Sequence, residues 1–405
     1  MCGMGKQQRV DHNSQAVFTA GFAPMSRRRK LVFVINSIGE GGAERALDTV
    51  LRAVGDRAAR YEMHLVLLDD EPERRILPAL DGRHCLDARG SLLKSISRLR
   101  SCLDALQPDL VVSLLVRSNL ANAVAGVGRP WRTILCERMH LSSHLAGRYT
   151  GAALLTLRLL PRLLYPRADL ILAVSEGVQQ DLIDTFGLAP SRTRTIHNPY
   201  DLDAITRAGA ERPVIDLPER YMVAVGRLVE AKGFHDLIEA YRRADPAPSL
   251  VILGDGEQRQ ALEAQISAAG LTGRVLLLGF VEQPFAIMAR ARCLVSASRN
   301  EGFPNAIAEA MVLGRPVLAT DCPSGPAELL GGVAVRPGEV VEAKYGLLVC
   351  NRDVDGLAKG LVRMDDDALC ARLGQAARRR MDDFRVAVIA ARYWDTFDGV
   401  LAATR

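Results

Sequence analysis

The chain has 405 residues, 48% of them apolar and 24% charged, with a net charge of +5 and a mean hydropathy near zero, +0.06. That length is too great for one ordinary core and predicts two domains. No apolar run approaches the length of a membrane-spanning helix, which argues against an integral membrane protein, and the mild charge comes with no aromatic-rich basic strand that would point to nucleic acid.

Eight cysteines occur without a C-x-x-C or paired spacing, so free thiols in a reducing cytosol are expected. Seven histidines include no H-E-x-x-H, so no metal-binding residues are expected. Met1 to Pro24 is polar and patternless and lacks the apolar core of a secretory signal, so residues 1–25 are expected to form a disordered extension. Leu31 to Ile35 is the first buried strand, followed by the glycine-rich turn of Gly39, Gly41 and Gly42 and a helix from near Ala43. Such a turn lets backbone approach a ligand closely, and it is equally the ordinary way to turn from strand to helix.

Strands and helices then alternate. Strands are predicted at Met63–Leu68, Leu110–Leu114, Thr133–Cys136, Leu170–Val174 and near Thr195, with helices around 92–106, 119–127 and 176–186. Alternating βα units predict an α/β fold with a parallel, doubly wound sheet and ligands at the strand carboxyl ends. Between Leu145 and Arg167, leucines at 154, 155, 157, 159, 160, 163 and 164 mix with arginines at 148, 158, 162 and 167. Such a segment packs as a core helix with solvated arginines or lies in a membrane interface, and both readings stand.

His197-Asn198-Pro199-Tyr200 closes the first series, and 200–218 reads as a connection containing Pro213 and Pro218. A second series follows, with strands at Tyr221–Val225, Leu250–Leu253, Val275–Leu278, Cys293–Ser296, Pro316–Thr320 and Tyr345–Val349. Gly226-Arg227 and Lys232 lie in the loop after its first strand, where a diphosphate is expected. A guanidinium and an ammonium there would neutralise it, although two loop cations are ordinarily just solvated.

The stretch Ser298 to Leu330 reads as strand end, loop, helix, turn and next strand. Pro304 suits the first helical position, and Asn305 to Leu313 are good helix formers. The free N–H groups of that helix N-terminus can receive a phosphate. Glu301 stands in the loop and Glu309 among Ala306, Ile307, Ala310 and Met311. A carboxylate so bordered needs a partner, either a ligand hydroxyl pair such as a ribose or a structural arginine.

Glu301 and Glu309, separated by seven residues with G-F-P-N between them, resemble the E-x7-E signature of retaining glycosyltransferases of family 4. Asp321 to Glu328, D-C-P-S-G-P-A-E, is similar to bacterial members that extend polyprenyl-diphosphate-linked oligosaccharides. The resemblance implies a GT-B fold, two Rossmann-like domains facing across a cleft. An acceptor-binding domain would span 26–199, a linker 200–218 and a nucleotide-sugar domain 219–384, with the helix at 385–405 packing back on the first domain.

It further implies that Glu309 holds the donor ribose and Glu301 the sugar hydroxyls, with the backbone of Phe303, Pro304 and Asn305 taking sugar or phosphate oxygens. Arg227 and Lys232, with Gly226, would stabilise the departing diphosphate, and Gly41 and Gly42 would contact donor phosphates or acceptor. The family often carries an active-site histidine where this chain has Glu137-Arg138-Met139-His140. Glu137 and Arg138 there are acceptor-side candidates or a structural salt bridge, with His140 close behind, and Lys94 and Arg98 could meet an acceptor diphosphate. The implied reaction uses no cofactor beyond a UDP-linked sugar donor and no metal. Its acceptor is a lipid-linked saccharide at the cytoplasmic membrane face, and nucleic acid is no partner. The carboxylates of Asp201-Leu-Asp203, Asp353-Val-Asp355 and Asp365 to Asp367 read as linker and helix-start residues, not metal ligands. Two rivals are a sugar-nucleotide 2-epimerase of the same architecture and a non-catalytic scaffold of a polysaccharide assembly complex.

Overall fold

The computed structural model describes residues 27–39, 41–213 and 215–403; the extension expected at 1–25 lies outside them. The first sheet comprises β1 (Arg29–Ile35), β2 (Tyr61–Leu67), β3 (Gly82–Cys85), β4 (Leu110–Leu114), β5 (Arg132–Glu137), β6 (Leu170–Ala173) and β7 (Thr193–Thr195). Their order is β3-β2-β1-β4-β5-β6-β7, and every pairing is parallel. Helices cover both faces, so a central strand such as Leu31 to Ile35 is apolar throughout and fully buried.

The second sheet comprises β8 (Tyr221–Val225), β9 (Ser249–Leu253), β10 (Val275–Gly279), β11 (Leu294–Ser296), β12 (Val317–Asp321), β13 (Val340–Ala343) and β14 (Gly346–Cys350). Its order is β10-β9-β8-β11-β12-β14-β13. It is parallel apart from β13, which pairs antiparallel with β14. Both sheets therefore reverse direction next to their first strand, between β1 and β4 and between β8 and β11. Loops diverge at such a point and leave a crevice at the strand carboxyl ends.

The chain crosses between the domains at two adjoining places. Tyr200 N–H donates to Phe384 O at 2.9 Å and Val386 N–H to Tyr200 O at 3.1 Å. The helix Val386–Ala402 then returns to the first domain, where Trp394 stacks on Tyr61 at 5.5 Å and donates from Nε1 to Val50 O at 3.0 Å. The segment 200–218 is more than a connection. It contains the helix Leu202–Ala210, which rests on the second domain closely enough that a Cβ on Gly209 would come within 2.4 Å of Leu313. Leu202, Ile205 and Gly209 are its buried residues. Pro304 caps the following helix in extended conformation rather than opening it, and Asn305 is the first helical residue.

Each of the three aspartate runs supplies a helix cap. Asp201 accepts from Ala204 N–H at 2.9 Å, Asp353 from Gly356 N–H at 2.8 Å, and Asp366 from Ala368 and Leu369 N–H at 2.9 and 3.0 Å.

Candidate active site

The loop after β8 and the loop after β11 meet through an ion pair: Lys232 Nζ lies 2.5 Å from Glu301 Oε1. The lysine reaches there by running its methylenes over Gly226, where a Cβ would sit 3.3 Å from Lys232 Cδ. Ser298 Oγ donates to the same Glu301 oxygen at 2.6 Å, and Ser324 Oγ holds the Glu301 carbonyl at 2.6 Å. The carboxylate is thus fixed in place between a cation and a hydroxyl. Arg227 is exposed. Its loop is braced by the turn after β9, where Gly254, at φ +141°, leaves no room for a Cβ beside Gly226 O.

Glu309 is buried on the helix Asn305–Val312, and its partner comes from the other domain: Arg45 forms an ion pair with it. Burial raises the Glu309 carboxyl above its ordinary range, and the Arg45 guanidinium works against that. Of the two partners open to Glu309 in the sequence, the structure shows the arginine. Arg45 lies one turn into the helix Gly42–Arg52, beyond the glycine turn.

That turn itself touches the second domain, since a Cβ on Gly42 would stand 2.6 Å from Asn305 Nδ2. Asn305 Oδ1 also accepts from Asn198 Nδ2 at 2.9 Å and from Tyr200 OH at 2.7 Å. Gly302 passes so close to the first domain that a Cβ would fall 2.0 Å from Arg138 O. Phe303 is buried against His197, with ring centroids 4.9 Å apart. Gly41 lies under the Glu44 side chain, which curls back over the helix start. Burial raises the Glu44 carboxyl, opposed by its own backbone N–H and by the charges of Arg138, Arg75 and Arg227. Arg227 is also felt by His144, whose imidazole is held low by burial, Arg148 and Arg227.

Gly42, Gly226, Lys232, Glu301, Asn305 and Glu309 are thus brought together where the two domains meet, with Gly41 and Arg227 in the adjoining loops, whereas Phe303 and Pro304 are buried. The acceptor-side candidates divide. Glu137 is fully buried and accepts from Tyr165 OH at 2.9 Å and from Arg138 N–H at 3.0 Å; burial, against those hydrogen bonds, pushes its carboxyl up to about 7. The Arg138 guanidinium is buried too, donating to Tyr393 OH at 3.1 Å and to Asn198 Oδ1, so it ties the returning helix to the first domain. His140 turns to Ser143 Oγ at 2.9 Å and to Asp181, 3.7 Å away. Arg98 donates to the carbonyls of Leu86 and Asp87 at 2.5 and 2.6 Å, and Lys94 is exposed one turn before it.

Sequence reasoning missed Arg45, Asn198, Tyr200 and Ser298. A clue to Arg45 was its place one turn after two glycines. Asn198 and Tyr200 flank Pro199 in the domain-closing segment. Glu328, read with the Asp321 motif, is held at the joint of the domains: it pairs with His197 and accepts from Glu176 N–H at 2.9 Å.

Residues 40–204 match the family Glycosyltransferase Family 4, and residues 219–367 match Glycosyl transferases group 1. The chain is 31% identical over 380 residues to N-acetylgalactosamine-N,N'-diacetylbacillosaminyl-diphospho-undecaprenol 4-alpha-N-acetylgalactosaminyltransferase of Campylobacter jejuni, covering 89% of this chain and 97% of that one. It is 25% identical over 334 residues to lipopolysaccharide 1,6-galactosyltransferase of Escherichia coli, covering 77% and 86%. Among solved structures, HepE of Anabaena in complex with UDP and glucose superposes with a TM-score of 0.70 at 22% identity, covering 92% of this chain and all (100%) of that one. Sucrose-phosphate synthase of Thermosynechococcus elongatus reaches 0.76 at 19% identity, covering 93% and 100%.

Proposed function

The chain belongs to glycosyltransferase family 4, and from that premise we propose that it moves a hexosyl or N-acetylhexosaminyl group from a UDP-linked donor to a lipid-linked saccharide. The transfer retains the anomeric configuration and needs no metal ion. The acceptor would be met at the cytoplasmic face of the membrane, in the assembly of a surface polysaccharide or glycan. The named relatives are transferases, which leaves the 2-epimerase reading without support.

One observation carries the reading: the Arg227–Lys232 loop meets the loop of Glu301 through an ion pair, and Glu309 on the helix that follows pairs with Arg45 of the facing domain. In the reaction the donor ribose takes Glu309 and the sugar hydroxyls take Glu301. Each exchange releases a cation, Arg45 from the first carboxylate and Lys232 from the second. Lys232 and Arg227 are then available to the diphosphate, where negative charge grows as the glycosidic bond breaks. The acceptor oxygen bonds to the anomeric carbon on the face from which the diphosphate departs. The electron pair of the broken C1–O bond stays on the diphosphate, and the acceptor's proton passes to that leaving oxygen. The free N–H groups at the start of the helix Asn305–Val312 add fixed partial positive charge beside it.

Thermal unfolding against UDP, GDP and ADP tests the donor assignment, with Glu309→Ala and Lys232→Ala alongside. A ligand at about 100 times its Kd stabilises the native state by about 2.7 kcal/mol, so UDP is expected to raise the melting temperature of wild type by a few degrees and to leave both variants unmoved. Wild type indifferent to all three nucleotides would remove the donor site from this cleft.

A further inference from the structure

The helix Gly151–Leu164 is apolar on two sides. Leu154, Leu157, Leu160 and Leu164 pack inward against the core. Leu155, Leu159 and Leu163, at successive turns, face outward and are 66%, 52% and 61% exposed. Three large leucines aligned on one helix face form a contiguous patch, unlike scattered exposed apolar residues. Arg162 is exposed on the same face by its helical spacing. Arg158, half-buried beside that face, has an Nε without a hydrogen-bond partner. Arg167 follows the helix, exposed and donating to Leu163 O at 2.7 Å.

Charge decides what fits the patch. From 138 to 168 the chain contains no aspartate or glutamate, while arginine stands at 138, 148, 158, 162 and 167. A second copy packed helix to helix would set these arginines against their own kind. An anionic headgroup layer would neutralise them, with the leucines reaching the acyl boundary beneath. No helix among the described residues is long and apolar enough to cross a membrane, so contact through this face would be contact from one side.

The helix is also joined firmly to the cleft. It ends on Tyr165, fully buried, whose hydroxyl donates to Glu137 at the end of β5. The next residue, Arg138, supplies the carbonyl against which Gly302 closes. A surface held by this helix would therefore have a set position relative to the active-site mouth.

We propose that the Leu155, Leu159 and Leu163 face of this helix docks in the interface of an anionic lipid bilayer, with Arg158, Arg162 and Arg167 at the level of the phosphates. This deepens the lipid-linked acceptor reading and rests on it for its purpose. The test is co-sedimentation of the full chain with vesicles of phosphatidylcholine alone or mixed with phosphatidylglycerol. Wild type is expected to partition onto the anionic vesicles. The combined Leu155→Glu, Leu159→Glu, Leu163→Glu variant should lose about tenfold in partitioning, and Arg158→Gln with Arg162→Gln several-fold, as should raised salt. Unchanged binding by the leucine variant, or no binding by wild type, would overturn the proposal. So would a wild-type dimer that the leucine substitutions dissociate, which would assign the face to a second copy. The UDP-induced melting shift, measured on the same samples, keeps the readings apart. Vesicle binding without that shift sinks the donor assignment and spares the docking surface; the shift without vesicle binding does the reverse.

Discussion

Glu137 shows how a single residue beside the cleft can make its environment measurable. Its carboxyl is fully buried and is pushed up to about 7 by burial, against the hydrogen bonds from Tyr165 and Arg138. In the unfolded chain it titrates near its ordinary value of 4.5. Between those two values the folded state holds a proton that the unfolded state has released, so this group's contribution to stability falls as pH rises and levels off above about 7. A displacement of that size is worth on the order of 3 kcal/mol. The imidazoles of His84, His140 and His144 are held low, and their contributions run the opposite way over part of the same range, so wild type alone would not isolate Glu137. The difference between Glu137→Gln and wild type does. The substituted amide keeps an acceptor for Tyr165 and cannot ionise. The variant's melting temperature relative to wild type is expected to climb from pH 5 to about pH 7 and to level off above it. A flat difference across that range would mean that Glu137 is not held protonated by its surroundings.

Elements position the site through the loops that leave the carboxyl ends of β1, β5, β8 and β11, and the closest approach among them is that of Gly302. A Cβ there would lie 2.0 Å from Arg138 O, and both atoms belong to backbone that cannot simply rotate aside. Gly302→Ala must spread the loop after β11 from that after β5, and Glu301 moves with it. A displacement of about 1 Å at reacting groups can cost 10²-fold in rate, so the turnover number is expected to fall at least tenfold, and the melting temperature to fall as well, because relieving a clash with backbone costs about 1–3 kcal/mol. A variant turning over within about twofold of wild type would show that the loop contact does not set the geometry. Much of this scaffold was legible beforehand. Apolar strands alternating with helices announced two parallel sheets, and the spacing of Arg227, Lys232, Glu301 and Glu309 survives folding because each pair sits on one short loop or helix. β3 was not legible, since Gly-Arg-His-Cys is half exposed and pairs with a single neighbour. Nor was the helix Leu202–Ala210, whose apolar period is cut short within nine residues. The contacts of Arg45 with Glu309 and of Asn198 with Asn305 span 264 and 107 residues, and no local periodicity encodes a pairing made by the meeting of two domains.

At the scale of the whole molecule, those long-range pairs join the two domains. Beyond the two crossings at Tyr200 and Val386, the domains touch through Arg45 and Glu309, through Asn305 with its partners Asn198 and Tyr200, and through Glu328 with His197 and Glu176. The neutral contacts are ordinary hydrogen bonds, each worth about 1 kcal/mol net. The Arg45 pair differs because its carboxylate is buried, so removing the guanidinium leaves a charge with neither water nor counterion. Arg45 is itself 38% exposed on its side chain, and solvent screening reduces the loss from the several kcal/mol of a fully buried pair to about 1–2 kcal/mol. That is enough to move an equilibrium between closed and open domains by about tenfold. Arg45→Ala is therefore expected to widen the cleft without ligand, read as a longer distance between fluorophores placed on the two domains, and Arg45→Lys to restore part of the closure. Donor binding should reclose the alanine variant, because ribose and diphosphate then bridge the same surfaces that Arg45 had joined. If the distance distribution of Arg45→Ala matches wild type both with and without UDP, the ion pair is a bystander, and closure must come from the remaining contacts, those of Asn305, Glu328 and the crossing segments among them.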